Sequence, residues 1–312
     1  MNMKMIESVY QANTYIADLK NKGKTIGLVP TLGGLHSGHQ LLMQKAREEN
    51  DITLISIFLN PMQFRKKQFD AYPSDFEQDK RVAKATQVDM IFHPTVKEMF
   101  PFVEQIDDFF KYQENELIDR DREHFVREDK NGIDNLISVP ANLVYRLDGT
   151  MHPWVFDGAA TIVYKLFEVL QPHNAYFGEK DIQQLAILTN MAASYFPDIT
   201  VIGVPTLRDA DQLAFSSRNV LLSAEQRQSA LSVYHALQHG EKLIREGESD
   251  THIVLNAMKE IIKAQPLVQI DYIDIVEKGS LQSSKQIKGD TILYAAFFVK
   301  GIRLTDTLIV DL

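Results

Sequence analysis

Short apolar runs alternate with amphipathic segments over the first two thirds of the chain. The run 24–30 ends in a glycine-rich turn, and the helix predicted after it carries Leu42 and Ala46 on one face. The mostly apolar run 51–60 favours a strand buried on both faces, and another strand is predicted at 88–92. Strands separated by helices predict an α/β fold with a doubly wound, parallel, Rossmann-like sheet.

The same alternation continues to residue 204. It predicts a helix at 159–170, a short strand at 175–178, an amphipathic helix at 179–196 and a strand at 199–204. The helical period predicts that the inward face of the helix 179–196 carries Ile182, Leu185, Ala186, Thr189, Ala193 and Phe196.

The pattern changes near residue 207. Ser223 and Gln226 have the spacing of a capping box, which predicts the start of a helix. Two helices and then three strands are predicted, the strands at 269–276, 291–300 and 303–310. This order indicates a separate, smaller α+β domain. We therefore expect one domain at 1–206 and a second at 207–312.

Composition narrows the classes of function. The 312 residues include 33 Lys and Arg against 42 Asp and Glu, a formal charge of −9, which disfavours broad electrostatic binding to nucleic acid or to an anionic membrane. There is no cysteine, so disulfides, thiol nucleophiles and thiolate metal sites are excluded. Because the N-terminus has no apolar signal core and no apolar stretch reaches ~18 residues, a cytoplasmic location is expected.

One segment departs from this charge balance. Residues 103–134 hold 11 acidic and 5 basic residues, interleaved with Phe109, Phe110, Tyr112 and Phe125. A solvated helical insertion is the favoured interpretation, and a lid or a partner-binding segment is the alternative.

The turn after the first of these strands carries the main candidate chemistry. Ligands of an open parallel sheet bind beyond the carboxyl ends of the strands, which places residues 30–39 and 60–64 on one rim. A glycine-rich turn that opens into a helix presents free N–H groups and the positive end of the helix dipole, which suit phosphate. His36 and His39 stand where a phosphate-binding lysine is usual, and Gly38 lets the backbone approach closely.

These histidines admit three interpretations. Their imidazoles could donate to a transferring phosphoryl group and stabilise the charge that develops there. They could instead be surface or capping residues. A zinc site is the third interpretation, but a third ligand is lacking near His36 and His39.

Three further polar groups lie at related positions. Segment 178–184 places Lys, Asp and Gln side chains in the first turn of a helix at another strand end. The two Ser hydroxyls and the guanidinium of 216–218 could grip triphosphate oxygens. The amide of Gln63, after the second strand, could bind a hydroxyl or a carboxylate.

Five segments resemble the pantothenate synthetase family in order and spacing. They are Pro30-Thr-Leu-Gly-Gly-Leu-His-Ser-Gly-His39, Asn60-Pro-Met-Gln-Phe64, Asp70-Ala-Tyr-Pro73, Phe177-Gly-Glu-Lys-Asp-Ile-Gln-Gln184 and Leu213-Ala-Phe-Ser-Ser-Arg-Asn219. The resemblance implies an HxGH-type nucleotidyltransferase domain, a smaller C-terminal domain that closes over ATP, Mg²⁺ dependence and a homodimer. It also implies a ligase that condenses pantoate with β-alanine through a pantoyl adenylate and releases AMP and pyrophosphate.

The resemblance also implies roles for residues of this chain. His36, His39 and Lys180 would be catalytic, with His39 as the proton donor, and Gln63 and Gln184 would hold pantoate and β-alanine. The ATP-lining residues would be Leu32, Gly33, Gly34, Leu35, His36, Ser37, Gly38, His39, Gly178, Glu179, Lys180, Asp181, Leu207, Phe215, Ser216, Ser217 and Arg218. The motifs do not fix the Mg²⁺ ligands, for which the candidates are Asp79 and Asp181.

The chain departs from the family pattern at three places. Leu32-Gly33-Gly34 replaces Met-Gly-Ala, Ser74 replaces an Arg after Tyr-Pro, and His152-Pro-Trp-Val-Phe156 replaces Arg-Pro-Gly-His-Phe. Two alternative hypotheses therefore stand beside the leading one. The first is a related HxGH enzyme that adenylates another small carboxylate or transfers a nucleotide. The second is a nucleotide-binding protein that has lost its activity.

Overall fold

The computed structural model describes residues 3–110, 122–130, 133–150 and 152–312. The chain divides into two compact units, Met1–Val204 and Pro205–Leu312. Each unit has its own hydrophobic core, and each is described by itself.

The N-terminal unit alternates strands and helices. Its strands are β1 (Lys4–Ile6), β2 (Ile26–Thr31), β3 (Ile52–Ile57), β4 (Met90–Phe92), β5 (Val126–Lys130), β6 (Ile133–Ser138), β7 (Asn174–Gly178) and β8 (Thr200–Val204). Its helices are α1 (Val9–Asn21), α2 (Ser37–Glu49), α3 (Lys66–Asp70), α4 (Phe76–Ala85), α5 (Val96–Met99), α6 (Ala141–Val144), α7 (Pro153–Leu170) and α8 (Ile182–Tyr195). Short 3₁₀ helices cover Pro61–Gln63, Leu147–Thr150 and Glu179–Asp181.

Six of these strands form one parallel sheet in the order β1-β4-β3-β2-β7-β8. The predicted α/β class with a parallel sheet is therefore confirmed. The chain runs from β2 to β3 and β4 on one side, whereas β7 and β8 lie on the other, so the order reverses between β2 and β7. The ladder between these two strands covers only Gly27↔Asn174 and Leu28↔Ala175. Their carboxyl ends therefore leave a crevice, which is where such sheets bind ligands.

The central strands are buried on both faces, as their apolar sequences predict. Ile26 and Leu28 of β2 belong to one cluster with the buried residues of α1, α7 and α8. Val29, the next residue along, belongs to a second cluster with α2 and α4. Burial of one such side chain contributes about 1.5–3 kcal/mol to the stability of the fold. The loops after β2 and β7 therefore extend from strands that are rigidly packed on both faces.

The C-terminal unit consists of two helices and an antiparallel sheet. α9 (Ala224–Arg245) and α10 (Thr251–Lys263) precede β9 (Val268–Glu277), β10 (Thr291–Val299) and β11 (Ile302–Val310), which pair in the order β11-β10-β9. The predicted capping box is present at the start of α9, where Ser223 and Gln226 exchange hydrogen bonds. A 3₁₀ helix covers Ser217–Leu221. No helix among the described residues is long and apolar enough to cross a membrane.

The predicted inward face of the helix 179–196 is partly wrong. Thr189 and Ala193 are exposed, whereas Gln183 and Ile187 are buried. The packing of α8 against α7 and β8 sets the buried face instead, and its buried residues are Ile182, Gln183, Ala186, Ile187, Leu188, Met191 and Ala192.

The helical interpretation of the acidic segment is correct for residues 107–110 and wrong for residues 126–130 and 133–134, which are strands. Residues 126–130 and 133–138 form two antiparallel strands that pack on α7, where Lys165 pairs with Asp134 at 2.8 Å. This tertiary contact overrides local helix propensity. Phe109 and Phe110 are buried rather than solvated, whereas the prediction for Tyr112 falls on residues 111–121, outside the described residues.

Candidate active site

The two histidines of the loop after β2 cap α2. His36 is the N-cap residue, its Nδ1 accepts a hydrogen bond from the Gly38 N–H at 3.1 Å, and the His39 Nδ1 accepts one from the His36 N–H at 3.3 Å. The imidazole rings stack with centroids 4.0 Å apart. A Cβ on Gly38 would lie 3.0 Å from the His36 ring, so glycine leaves room for this packing. The capping interpretation is therefore correct, and it also fixes both rings in place.

Both imidazoles are held in the neutral form. Burial, together with a smaller contribution from the neighbouring His36, lowers the pKa of His39 to about 3. Burial also lowers the pKa of His36, with a contribution from the positive charge of Lys180. Because each Nδ1 accepts a backbone N–H, the remaining hydrogen of each neutral ring sits on Nε2. The loop therefore presents imidazole N–H donors at the start of a helix.

Asp79 anchors the same loop from α4. Its carboxylate is buried and accepts the N–H groups of Gly34 at 2.9 Å and Leu35 at 2.7 Å. Gly33 and Gly34 both have positive φ, and a Cβ on Gly33 would lie 3.1 Å from that carboxylate. This arrangement favours a structural role for Asp79 over the metal-ligand role.

The loop after β7 lies across the crevice. Lys180 is half-buried in the 3₁₀ turn Glu179–Asp181 and is close enough to lower the pKa of His36. The two neighbouring glutamines differ. Gln183 is buried and bonds to Leu143 O, Val144 O and the Gly149 N–H, whereas Gln184 is only half-buried. Gln183 therefore has a structural role, because its amide bonds to the backbone of residues 143–149. Gln184 is the glutamine that can contact a ligand.

Asn60, which sequence reasoning did not single out, positions Gln63. Its Nδ2 donates to the Gln63 Oε1 at 3.0 Å and to the Gly158 O of α7 at 3.0 Å, and it is fully buried. With its oxygen engaged in this way, Gln63 keeps its NH₂ group to donate to a ligand. The signal in the sequence was the position of Asn60 at the end of the mostly apolar run 51–60, where a buried polar residue needs a hydrogen-bond partner.

The remaining predicted ATP residues belong to the C-terminal unit. The Phe215 N–H donates to Leu207 O at 2.8 Å, and the Ser216 side chain caps the 3₁₀ helix by accepting from the Arg218 N–H. The Arg218 guanidinium donates to Arg303 O at 2.9 Å. Ser217 and Arg218 are exposed, in contrast to the histidines.

Comparison with known proteins decides the family. The family model described as pantoate–β-alanine ligase matches residues 4–309. The chain belongs to this family. The resemblance inferred from the motifs is thereby confirmed, and so is the enzyme class, because pantoate–β-alanine ligases are ligases.

Relatives and solved structures of the same family match nearly the whole length of the chain. The pantothenate synthetase of Caldicellulosiruptor saccharolyticus is 36% identical over 310 residues, which cover 99% of this chain and 100% of that protein. The pantothenate synthetase of Thermotoga petrophila is 37% identical over 308 residues, 98% of this chain and 99% of that one. The crystal structure of the Thermus thermophilus pantothenate synthetase has a TM-score of 0.79 at 32% identity, covering 98% of this chain and 99% of its own. The Francisella tularensis pantoate–β-alanine ligase, complexed with Beta-gamma ATP and Beta-alanine, has a TM-score of 0.68 at 26% identity, covering 98% and 97%.

Proposed function

We propose that this protein condenses pantoate with β-alanine, using ATP, through a pantoyl adenylate. Membership of the pantoate–β-alanine ligase family over residues 4–309 supports the overall reaction. The observation that carries the adenylate step is the pair of neutral imidazoles at the start of α2, with Lys180 across the crevice. These groups are suited to stabilising a phosphoryl transfer, because N–H donors and a cation face the point where negative charge develops.

In the first step a carboxylate oxygen of pantoate bonds to the α-phosphorus of ATP, and the bond from that phosphorus to pyrophosphate breaks. The Nε2–H groups of His36 and His39 donate to the phosphoryl oxygens, and Lys180 offsets the added charge. Gln63 and Gln184 orient pantoate through their amides. Orientation and charge stabilisation are enough for this chemistry, so no covalent nucleophile is required.

In the second step the amine of β-alanine attacks the acyl carbon, and AMP leaves with the oxygen that came from the pantoate carboxylate. The ATP-lining set extends this proposal to Leu32–His39, Gly178–Asp181, Leu207 and Phe215. Ser216, Ser217 and Arg218 would hold the phosphates, as the resemblance to the family motif implies.

The described residues fit a Mg²⁺ ion that arrives with the nucleotide. No group of three or more His, Asp or Glu among them could hold a metal ion by itself, and Mg²⁺ commonly binds through one or two carboxylates together with substrate phosphates. The carboxylate of Asp79 already accepts two backbone N–H groups, so Asp181 is the better candidate. Mg²⁺ would neutralise phosphate charge there.

The proposal also includes a homodimer and a cytoplasmic location. Both rest on the family resemblance alone. Sedimentation velocity of the purified protein tests the dimer, and a monomer at micromolar concentration would contradict it.

Exchange of labelled pyrophosphate into ATP tests the first step. With pantoate and Mg²⁺ we expect exchange, and without pantoate we expect none. Parallel reactions with other small carboxylates test the substrate, since exchange with one of them and not with pantoate would replace pantoate. Binding of ATP without AMP formation, when pantoate and β-alanine are both present, would show a protein that has lost its activity.

A further inference from the structure

Arg65 and Trp154 form a stacked pair beside Gln63. The Arg65 guanidinium lies over the Trp154 ring, with its carbon 4.8 Å from the ring centroid, and His152 meets the same indole edge-on at 4.9 Å. A guanidinium held on an indole face keeps its charge and its N–H fork in one orientation. Such a fork matches a carboxylate in geometry and in charge.

The position of this pair follows from how α7 packs on the loop after β3. Gly158 of α7 packs so closely on Met62 that a Cβ there would lie 2.9 Å from the Met62 backbone, and the Gly158 O accepts a hydrogen bond from Asn60. Trp154 lies one helical turn before Gly158 on the same face, and Arg65 lies three residues after Met62. Gln63 therefore lies between the two contacts, within about one helical turn of the pair.

The Arg65 guanidinium has no acidic neighbour bound to it among the described residues, so it can bind a carboxylate of the substrate. No ion pair joins Arg65 to an acidic side chain in the part of the chain that the structure describes, and the side chain is exposed. The Trp154 Nε1 is buried and has no hydrogen-bond partner among those same residues. Lys180 and Arg218 are already assigned to phosphate, whereas an amino acid substrate brings a carboxylate of its own that needs a cation.

We propose that Arg65, held on the indole of Trp154, binds the carboxylate of the β-amino acid and directs its amine towards the acyl adenylate. This inference rests on the proposed function. The residues proposed to bind the amine substrate include one that differs from the family motif, because Trp154 occupies the position where the family has Gly. Arg65 and Trp154 thereby determine specificity for an amine that carries an acid group.

Steady-state kinetics of R65Q in the full chain, with β-alanine varied, test this assignment. We expect the KM for β-alanine to rise by about 10- to 100-fold, the scale of one lost charge-assisted hydrogen bond. Pantoate-dependent pyrophosphate exchange, which needs no amine, should change far less. K67Q removes the same charge two residues away on the same exposed segment, and it should leave the KM for β-alanine at the wild-type value.

Two further measurements separate recognition of the carboxylate from a structural effect. Wild type should prefer β-alanine over β-alaninamide, whose acid is a neutral amide, and R65Q should lose most of that preference. W154A, which removes the platform but keeps the charge, should raise the KM for β-alanine by about 3- to 10-fold.

The outcomes distinguish this inference from the proposed function. An unchanged KM in R65Q, or an equal loss of pantoate exchange and of ligation, would overturn the assignment of Arg65. A wild-type protein that uses β-alaninamide as well as β-alanine would also overturn it. Absence of pantoate-dependent exchange in wild type would overturn the proposed function and this inference together.

Discussion

The histidine loop, residues 32–39, and the serine–arginine segment, residues 216–218, are both proposed to bind ATP, but they are held by very different contacts. In the histidine loop the backbone and side chains are fixed by the buried Asp79 carboxylate and by the capping box of α2. In the serine–arginine segment, Ser217 and Arg218 are exposed, and the anchors of Arg218 are a backbone carbonyl and the Ser216 cap.

This difference predicts different kinetic roles. Donors that are fixed before the substrate arrives need no reorganisation during the reaction, so they act on the transition state and on kcat. The exposed Arg218 side chain is held by a single backbone carbonyl, so its ligand must order it further and it acts mainly on substrate binding and on KM.

The largest expected effect is on the histidine loop itself. H39A removes a fixed imidazole donor and should reduce the rate of adenylation at least ~100-fold, with little change in the KM for ATP. Single-turnover formation of AMP measures this rate. H235A, which removes an exposed histidine of α9, is the matched control. A near-normal rate for H39A would mean that the role of His39 is misassigned.

The second-largest expected effect is on Asp79, which anchors the histidine loop. D79A leaves the N–H groups of Gly34 and Leu35 without their acceptor, which should cost about 2–4 kcal/mol of unfolding free energy and should also lower kcat. Urea denaturation measures the stability. E77A, which removes an exposed carboxylate from the first turn of the same helix, should cost less than about 0.5 kcal/mol. Equal losses in the two variants would contradict the anchoring role.

The pH dependence of stability tests whether the histidine loop holds His39 in its neutral form. The pKa of His39 in the folded protein is about 3, below its ordinary value, so the fold favours the neutral ring. The stability that this gives is complete above about pH 6.5, the ordinary pKa of the ring, and is lost as pH falls towards 3. Between about pH 7 and pH 5 the unfolding free energy of wild type should therefore fall by up to about 2 kcal/mol more than that of H39Q. Parallel curves for the two proteins would show that His39 is not held neutral.

The smallest expected effect is on the serine–arginine segment. R218Q should raise the KM for ATP about tenfold, the scale of one exposed charge-assisted contact, and kcat should change much less. R245Q removes another exposed arginine of the same unit and should leave KM unchanged. If R218Q instead lowers kcat as strongly as H39A does, the two regions do not differ in the way described.

Much of the fold could be predicted because the sequence signals are local. Apolar runs such as 24–30 and 51–60 predict buried strands, and the Ser223 and Gln226 spacing predicts a helix start that the structure contains. The buried face of α8 could not be predicted in full, because packing against α7 and β8 decides it. The antiparallel pairing of residues 126–130 with 133–138 could not be predicted either, since contacts with α7 decide it against local composition.

The candidate site, like the fold, could be predicted only where the sequence signal is local. The Gly-rich turn and the histidine spacing predict a phosphate site, and the structure brings Lys180 close enough to His36 to lower its pKa. The sequence does not show that Asp79, distant along the chain, holds the loop, or that Asn60 orients Gln63. These roles depend on packing between elements distant in sequence.

Transfer of an oxygen label tests the central claim most directly. Pantoate carrying ¹⁸O in its carboxylate is incubated with ATP, Mg²⁺ and β-alanine, and the AMP is analysed by mass spectrometry. A pantoyl adenylate predicts one labelled oxygen in AMP and none in pyrophosphate. AMP without label, or label in pyrophosphate or phosphate, would contradict the account.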